Sequence, residues 1–323
     1  MRCRGQVAGL MVMGALLWFS VAYLTTPRRV ARLMSELCRP SPGRTCYDPC
    51  CGSGRLPLAV QRAASRASSG RVRIFAQEIN PIPFIAAAVN RRVHNLEMTL
   101  KRGSSLRHPA FRRAENELER FDLAIANPMW NQRVSRTIYR RDPFGRFVRG
   151  WPSRDGDWVW MQHMLAHLDD AGRMVVMLDR AATSRSSDPV EVQIRKSFVE
   201  SDLIETVVLC PWEVSRPRWL VRTGLLKTPQ AVLFVVNKAK QNAGEILFVD
   251  TRRLVTDYLS GILRADDVRK KIIDLLSGWT SVPPVAKVAS GSDVVAFGFT
   301  LAPEVYCTTV DDVVPAPNPD RAQ

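Results

Sequence analysis

The sequence predicts an α/β sheet with crossover helices, and three observations predict it. From Thr26 onward, apolar runs of strand length alternate with segments whose apolar residues recur at helical spacing. A glycine turn, "PCCGSG", follows the first strand-like run and opens into a helix-like one. Asp48 and Glu78 close the first two of these runs. With 46% of 323 residues apolar, the chain can bury one large core or two modest ones.

Each element follows from its residues. "TPRRVARLMSEL" carries proline in its first turn and Val30, Leu33, Met34 and Leu37 on one face, a helix. "RTCYD" is a short strand ending on Asp48, followed by the turn and a helix from about 55 to 65. "RVRIFAQE" is the second strand, about 82 to 94 a helix, and the first half of "MTLKRGSSL" a third strand. "FDLAIANPMW" supplies the fourth, stopping on Asn127-Pro128 with an exposed tryptophan expected at Trp130. An arginine-rich loop from Asn131 to Arg154 is too long and too basic to be a simple connection. "DWVWMQHMLAHL" is a helix, "GRMVVML" a strand and "VEVQIRKSFVES" a helix. "LIETVVLC", "QAVLFVVNK" and "EILFVD" are strands, and two amphipathic segments occupy about 252 to 263 and 266 to 276. The domain organisation expected is an apolar segment over 1–24, a folded domain over 25–280 and an irregular or disordered tail over 281–323.

Charge and cysteine usage narrow the function. The balance of 46 Lys+Arg against 31 Asp+Glu gives +15, which favours a polyanionic partner such as nucleic acid or an anionic surface. Seven cysteines, an odd number with no CxxC pair, indicate neither a zinc site nor a disulfide framework, so no metal is expected and a reducing cytoplasm fits. His163 and His167 share a helical face but lack the glutamate of a zinc hydrolase helix, and read as packed or surface histidines. The uncharged run Ala8 to Leu24 is slightly short of the roughly 20 residues that span a membrane. A signal anchor, a helix packed on the body and a start codon inside a longer protein all account for it. The last two are preferred, and a membrane partner is not expected.

Two positions point to a nucleoside ligand. Glycines in a turn between strand and helix let the backbone approach a ligand, and the helix N-terminus offers free N–H groups. Glu78, 24 residues past Gly54, stands where an acid can accept hydrogen bonds from both ribose hydroxyls. No GxxxxGK[ST] occurs, which excludes a Walker-type phosphate loop. Asn-Pro at the fourth strand's end completes a set far more specific than any member alone.

With these stretches in view, the chain resembles an adenine-specific DNA methyltransferase that uses S-adenosylmethionine, most closely the modification subunit of type I restriction-modification systems. "TPRRVARLM" resembles the family's TP motif, "DPCCGSG" its DPACGSG, "QEIN" its second acidic motif and "FDLAIANPMW" its NPP-aromatic motif. Later blocks follow in the family's order, and the resemblance covers about residues 25 to 280. It implies a Rossmann-like fold, with a mostly parallel seven-stranded sheet and helices on both faces. It also implies methyl transfer from S-adenosylmethionine to the N6 amine of a flipped adenine in duplex DNA. The specificity subunit would be a partner, with the restriction subunit as a further one.

Residue by residue, the resemblance assigns Asn127, Pro128 and Trp130 to catalysis. The Asn127 oxygen and the Pro128 carbonyl would accept from the adenine amine, and Trp130 would stack on the base. Thr26, Asp48, Pro49, Cys50, Gly52, Ser53, Gly54, Glu78, Ser104 and Asn127 would line the cofactor, and the arginine-rich loop would close over DNA phosphates. Three departures mark this chain. Ser104 stands where the family has aspartate, Met129 replaces the second proline of NPP, and 25 residues stand where the family has a helical domain, so a truncated or rearranged chain is expected. They motivate an alternative, a catalytically impaired scaffold that binds cofactor or DNA. A third reading changes the acceptor to RNA or a protein glutamine amide.

Overall fold

The computed structural model describes residues 26–223 and 230–308. Helix α1 (Arg28–Leu37) leads into β1 (Thr45–Asp48), α2 (Arg55–Ala67), β2 (Arg73–Glu78), α3 (Pro81–Val93) and β3 (Met98–Arg102). A small hairpin, β4 (Arg112–Ala114) with β5 (Glu117–Leu118), precedes β6 (Phe121–Ala126), and the short α4 (Arg136–Arg140) lies in the arginine-rich loop. Then come α5 (Asp157–Ala166), β7 (Leu168–Asp179), α6 (Pro189–Glu200), β8 (Ile204–Leu209), α7 (Arg218–Arg222), β9 (Ala231–Asn237) and β10 (Glu245–Val249). Helices α8 (Arg252–Ser260) and α9 (Ala265–Gly278), strand β11 (Ala286–Ser290), and helices α10 (Gly291–Ala296) and α11 (Pro303–Tyr306) complete the described chain.

The main sheet runs β11-β10-β8-β9-β7-β6-β1-β2-β3. Strands β3, β2, β1, β6 and β7 are parallel neighbours, β9 is inverted between β7 and β8, and β11 is inverted at the far edge. The sheet is mostly parallel, as expected, but it has nine strands rather than seven. The strand-like runs named from the sequence supply eight of the nine, β10 among them, and β11 is the addition.

Both faces of the sheet are covered. Leu123 and Ile125 of β6, with Val175 and Met177 of β7, join Val30, Leu33 and Met34 of α1 and Ile272 of α9 in one core. Ala124 and Ala126, with Met174, Val176 and Leu178, join Trp158 and Met161 of α5 and Phe198 of α6 in the other. Strands buried on both sides favour apolar residues on both faces, which is why they read as near-continuous runs.

The expectation of an irregular tail after 281 is corrected for residues 281–308. Strand β11 pairs with β10 through five antiparallel register positions, and Ala286 and Ala289 are buried. Tyr306 then stacks on Phe248 of β10 at 3.8 Å between ring centroids. The segment is too short to show a period of its own and is ordered by the edge it covers. The apolar segment 1–24 and the tail beyond 308 lie outside the described residues. Among the described residues, no helix is long and apolar enough to cross a membrane.

His163 and His167 are both fully buried, the packed alternative of the sequence reading. Burial, foremost, holds the His167 imidazole down at about 4 against an ordinary 6.5. Below pH 6.5 the unfolded chain takes up a proton that this site refuses until about pH 4, so stability is lost as pH falls through that window. His167→Gln removes that step. Its unfolding free energy is expected to drop by about 2 kcal/mol less than wild type between pH 7 and 4.5, as read from denaturant titrations at the two pH values.

Candidate active site

Three parallel strands end side by side, and the predicted residues sit at those ends. Asp48 is the last residue of β1 and Glu78 the last of β2, while Asn127 directly follows β6. Strand β1 lies between the other two, so the glycine turn is flanked by Glu78 on one side and Asn127 on the other.

The turn is stitched to the end of β2. The Cys50 N–H donates to Asp48 Oδ1 at 3.1 Å, the Cys51 N–H to the Gln77 carbonyl at 3.0 Å and the Gly52 N–H to Glu78 Oε2 at 2.8 Å. Glu78 Oε1 accepts from the Asn80 N–H at 2.7 Å. Asn90 of α3 donates to the Ser53 carbonyl at 2.9 Å. Gly52 and Gly54 both have positive φ, +55° and +82°, which glycine adopts without strain. Nothing lies within 4 Å of where a Cβ at Gly52 would stand, so that side of the turn is open.

Two features of the turn invite a ligand. Asp48 is fully buried, yet its Oδ2 has no hydrogen-bond partner. Burial, foremost, pushes its carboxyl well above the usual range, with Glu78 adding to the effect. Each Glu78 oxygen holds one main-chain N–H and keeps a lone pair to accept another donor.

Asn127 is bonded at both ends of its amide. Nδ2 donates to Thr26 Oγ1 at 3.1 Å, and Oδ1 accepts from Trp130 Nε1, also at 3.1 Å. Thr26 is itself fixed, because Arg55 at the start of α2 donates to its carbonyl at 2.8 Å. Trp130 is half-buried rather than exposed, since its indole N–H also reaches the Met177 carbonyl of β7 at 3.2 Å. Its ring meets Trp212 edge-on at 6.0 Å. The exposed apolar side chain of the motif is Met129, at 57%.

Ser104 lies at the turn after β3, where its hydroxyl accepts from the Arg107 N–H at 3.3 Å. The serine that reaches the glycine turn is its neighbour. Ser105 is buried, and its hydroxyl donates to the Pro49 carbonyl. Cys50, half-buried, packs toward both the α5 side of the sheet and the loop core.

Behind the Asn-Pro turn lies an ionic cluster. The Asn131 N–H donates to Asp157 Oδ1 at 3.2 Å, and Arg185 donates to Asn131 Oδ1 at 2.9 Å. Arg185 also pairs with Glu191 at 2.7 Å and with Asp155 at 3.5 Å. Burial raises Asp157 to about 6 and Glu191 to about 7, which Arg185 only partly offsets. The cluster clamps Asn131 in a left-handed conformation, φ +52°, just past the turn.

The family model for N-6 DNA methylase matches residues 22–312. The chain belongs to the N-6 DNA methylase family. Among its curated relatives is the type I restriction enzyme HindI methylase subunit of Haemophilus influenzae, 28% identical over 90% of this chain and 65% of the relative. Another is the MjaVII methylase subunit of Methanocaldococcus jannaschii, 27% identical over 89% of this chain and 49% of the relative. The chain thus spans about half to two thirds of the length of these relatives. The solved methyltransferase subunit of a Streptococcus thermophilus type I restriction-modification system superposes with a TM-score of 0.72, at 22% identity over 88% of this chain and 59% of that one. The fold is that of the N-6 DNA methylases.

Within this family member the arginine-rich loop divides in two. Arg133, Arg136, Arg140 and Arg141 in its first part are exposed, as is Arg154 near its end. Its middle is core, since Phe147 and Trp151 pack with Leu106, Val159 and Trp160. Arg146 is buried there and does not face solvent. Sequence reasoning missed Arg146, Asp157, Arg185 and Glu191. Asp157 and Glu191, each an acid in the first turn of a helix, carry a local signal.

Gly156 closes the loop onto its start, donating its N–H to the Gln132 carbonyl at 2.8 Å. A Cβ there would strike the Val134 side chain and stand 2.8 Å from that same carbonyl oxygen. Gly156→Ala is expected to displace residues 131–134 and, with them, the Asn-Pro turn. In the function proposed below, the rate should fall by about a hundredfold, as misplacement by about 1 Å does, and single-turnover kinetics would show it.

Proposed function

We propose that the chain transfers a methyl group from S-adenosylmethionine to the N6 amine of adenine in DNA, as the modification subunit of a type I restriction-modification system. The observation that carries this reading is the alignment of the open glycine turn, Glu78 and Asn127-Pro128 at three adjacent strand ends. The names of the curated relatives support it. When bound, the cofactor supplies an electrophilic methyl on a sulfonium.

The residues present fit that group. Asp48, Pro49, Cys50, Gly52, Ser53 and Gly54 would hold it across the turn, Glu78 would take the ribose hydroxyls, and Thr26 and Ser104 would close its sides. The partnerless Asp48 oxygen suits a cationic donor. Asp48→Asn should therefore act in opposite directions on two quantities. The cofactor-free protein gains about 1 kcal/mol or more of stability once an uncompensated buried carboxyl is gone, while S-adenosylmethionine binds at least tenfold more weakly. Thermal unfolding and calorimetry on one variant read both.

Catalysis here is a matter of acceptors. An exocyclic adenine amine is a poor nucleophile because its lone pair is delocalised into the ring. With Nδ2 committed to Thr26, Asn127 presents Oδ1 as an acceptor, and the Pro128 carbonyl is the second. Hydrogen bonds from the amine to both would favour its rehybridisation and aim the lone pair. Trp130 holds Oδ1 until then and would stack on the flipped base. The exposed arginines of the loop would contact phosphates. A specificity subunit would choose the sequence, and a cytoplasmic setting would keep the six described free cysteines reduced.

The test is methyl-labelled S-adenosylmethionine with unmethylated duplex, with and without the specificity subunit of the same system. The expected result is N6-methyladenine formed only in the pair. Label recovered in RNA or protein, or bound cofactor with no transfer in the assembled complex, overturns the reading.

A further inference from the structure

We propose that Arg146 is a positioning residue that couples the arginine-rich loop to the cofactor turn, so that ordering one strengthens the other. This rests on the functional reading above and assigns that site a residue and a linkage it does not otherwise contain.

Arg146 begins in the loop. Its N–H donates to Asp142 Oδ2 at 2.7 Å and its Nε to Asp142 Oδ1 at 2.8 Å, two bonds that close the loop on itself. Its two remaining nitrogens leave the loop. One donates to the Leu106 carbonyl at 2.8 Å, the other to the Ser105 carbonyl at 3.3 Å and to His163 Nδ1 at 3.0 Å.

The direction of every later bond follows, because a guanidinium can only donate. His163 accepts at Nδ1, so in its neutral form Nε2–H faces the Tyr47 hydroxyl, 3.1 Å away. Burial, foremost, keeps that imidazole neutral. Ser105, whose carbonyl accepts from Arg146, donates its hydroxyl to the Pro49 carbonyl, inside the cofactor turn. A relay thus runs from Asp142 through Arg146 and Ser105 to Pro49, with His163 and Tyr47 as a buried branch that holds the guanidinium in place. Tyr47 and His163 are wholly buried, and Ser105 and Arg146 nearly so. Burial shields these bonds from solvent, and the low local dielectric strengthens each of them.

The relay joins the two places where the functional reading puts ligands. One end is three residues from Gly52; the other lies directly after the exposed Arg140 and Arg141. Linkage requires that a ligand favouring one ordered end also favours the other, by the same factor.

The experiment uses the full chain, S-adenosylhomocysteine and trypsin, which cuts at the exposed arginines between 133 and 141. In wild type, saturating S-adenosylhomocysteine is expected to slow those cuts roughly fivefold or more, the lower range of measured couplings. Asp142→Asn perturbs only the loop end, since its side chain bonds only to Arg146 among the described residues. It should bind S-adenosylhomocysteine roughly fivefold more weakly by calorimetry. Ser105→Ala perturbs only the cofactor end, and should speed the loop cuts in the absence of any ligand. A merely structural Arg146 predicts otherwise: Arg146→Met would be cut quickly yet bind S-adenosylhomocysteine as wild type does, which overturns the proposal. So does an Asp142→Asn protein that binds normally. A wild type that binds no S-adenosylhomocysteine overturns the functional reading itself, whereas one that binds it with unchanged loop cleavage overturns the coupling alone.

Discussion

Asn127→Ala is expected to abolish methyl transfer, lowering the single-turnover rate by roughly a thousandfold, while S-adenosylmethionine binds within a few-fold of wild type. The asymmetry follows from what the side chain touches. Its amide bonds Thr26 and Trp130 and makes no hydrogen bond to the glycine turn or to Glu78, whose own bonds come from the Gly52 and Asn80 main chain. Truncation would therefore remove the proposed acceptor for the adenine amine and leave the proposed cofactor turn intact. The fold should also survive, because Trp130 keeps the Met177 carbonyl as acceptor and Asn127 is only half-buried. Rate and affinity measured on the same preparation separate the two effects. A variant that still transfers within tenfold of wild type would assign the amine's acceptor to another group and remove Asn127 from catalysis.

Much of this site was legible because the chemistry sits where apolar runs stop. Strands β1, β2 and β6 are buried on both faces, so their ends are marked where the apolar run gives way to polar residues, at Asp48, at Gln77-Glu78 and at Asn127. Position along the chain was therefore enough to place each. What escaped depends on partners distant in sequence. Trp130 reads as exposed beside Asn-Pro, and is half-buried because a carbonyl 47 residues later takes its N–H. Arg146 reads as one more basic loop residue, yet its carbonyl partners lie 40 and 41 residues earlier. The hairpin β4–β5 pairs only three residues with two and is mostly exposed, too little to leave a period. Ser104 and Ser105 show the finest limit. Adjacent serines are indistinguishable in sequence, and only the geometry shows that the second one bonds the turn.

Gly52→Asp should fold as wild type does and bind S-adenosylmethionine at least a hundredfold more weakly, leaving no measurable calorimetric heat at micromolar protein. Three features of the position combine. The backbone there has φ +55°, which costs an L-residue about 1–2 kcal/mol and aspartate toward the low end. No atom lies within 4 Å of the new Cβ, so the side chain enters open space rather than the core and the fold tolerates it. The added carboxylate would belong to the same turn that bonds Asp48 and Glu78 through its main chain, bringing a third acid to the proposed cofactor site. Gly54→Ala is the matched control. Its φ of +82° imposes comparable strain, but its Cβ would rest 3.5 Å from Ala87 of α3, an ordinary contact directed away from the open side. Binding lost in the first variant and kept within about tenfold in the second means that blocked space, not backbone strain, removes the ligand. Equal losses would mean that the turn needs its glycines for shape alone, and equal retention would move the cofactor away from β1 and take the argument for Asn127 with it.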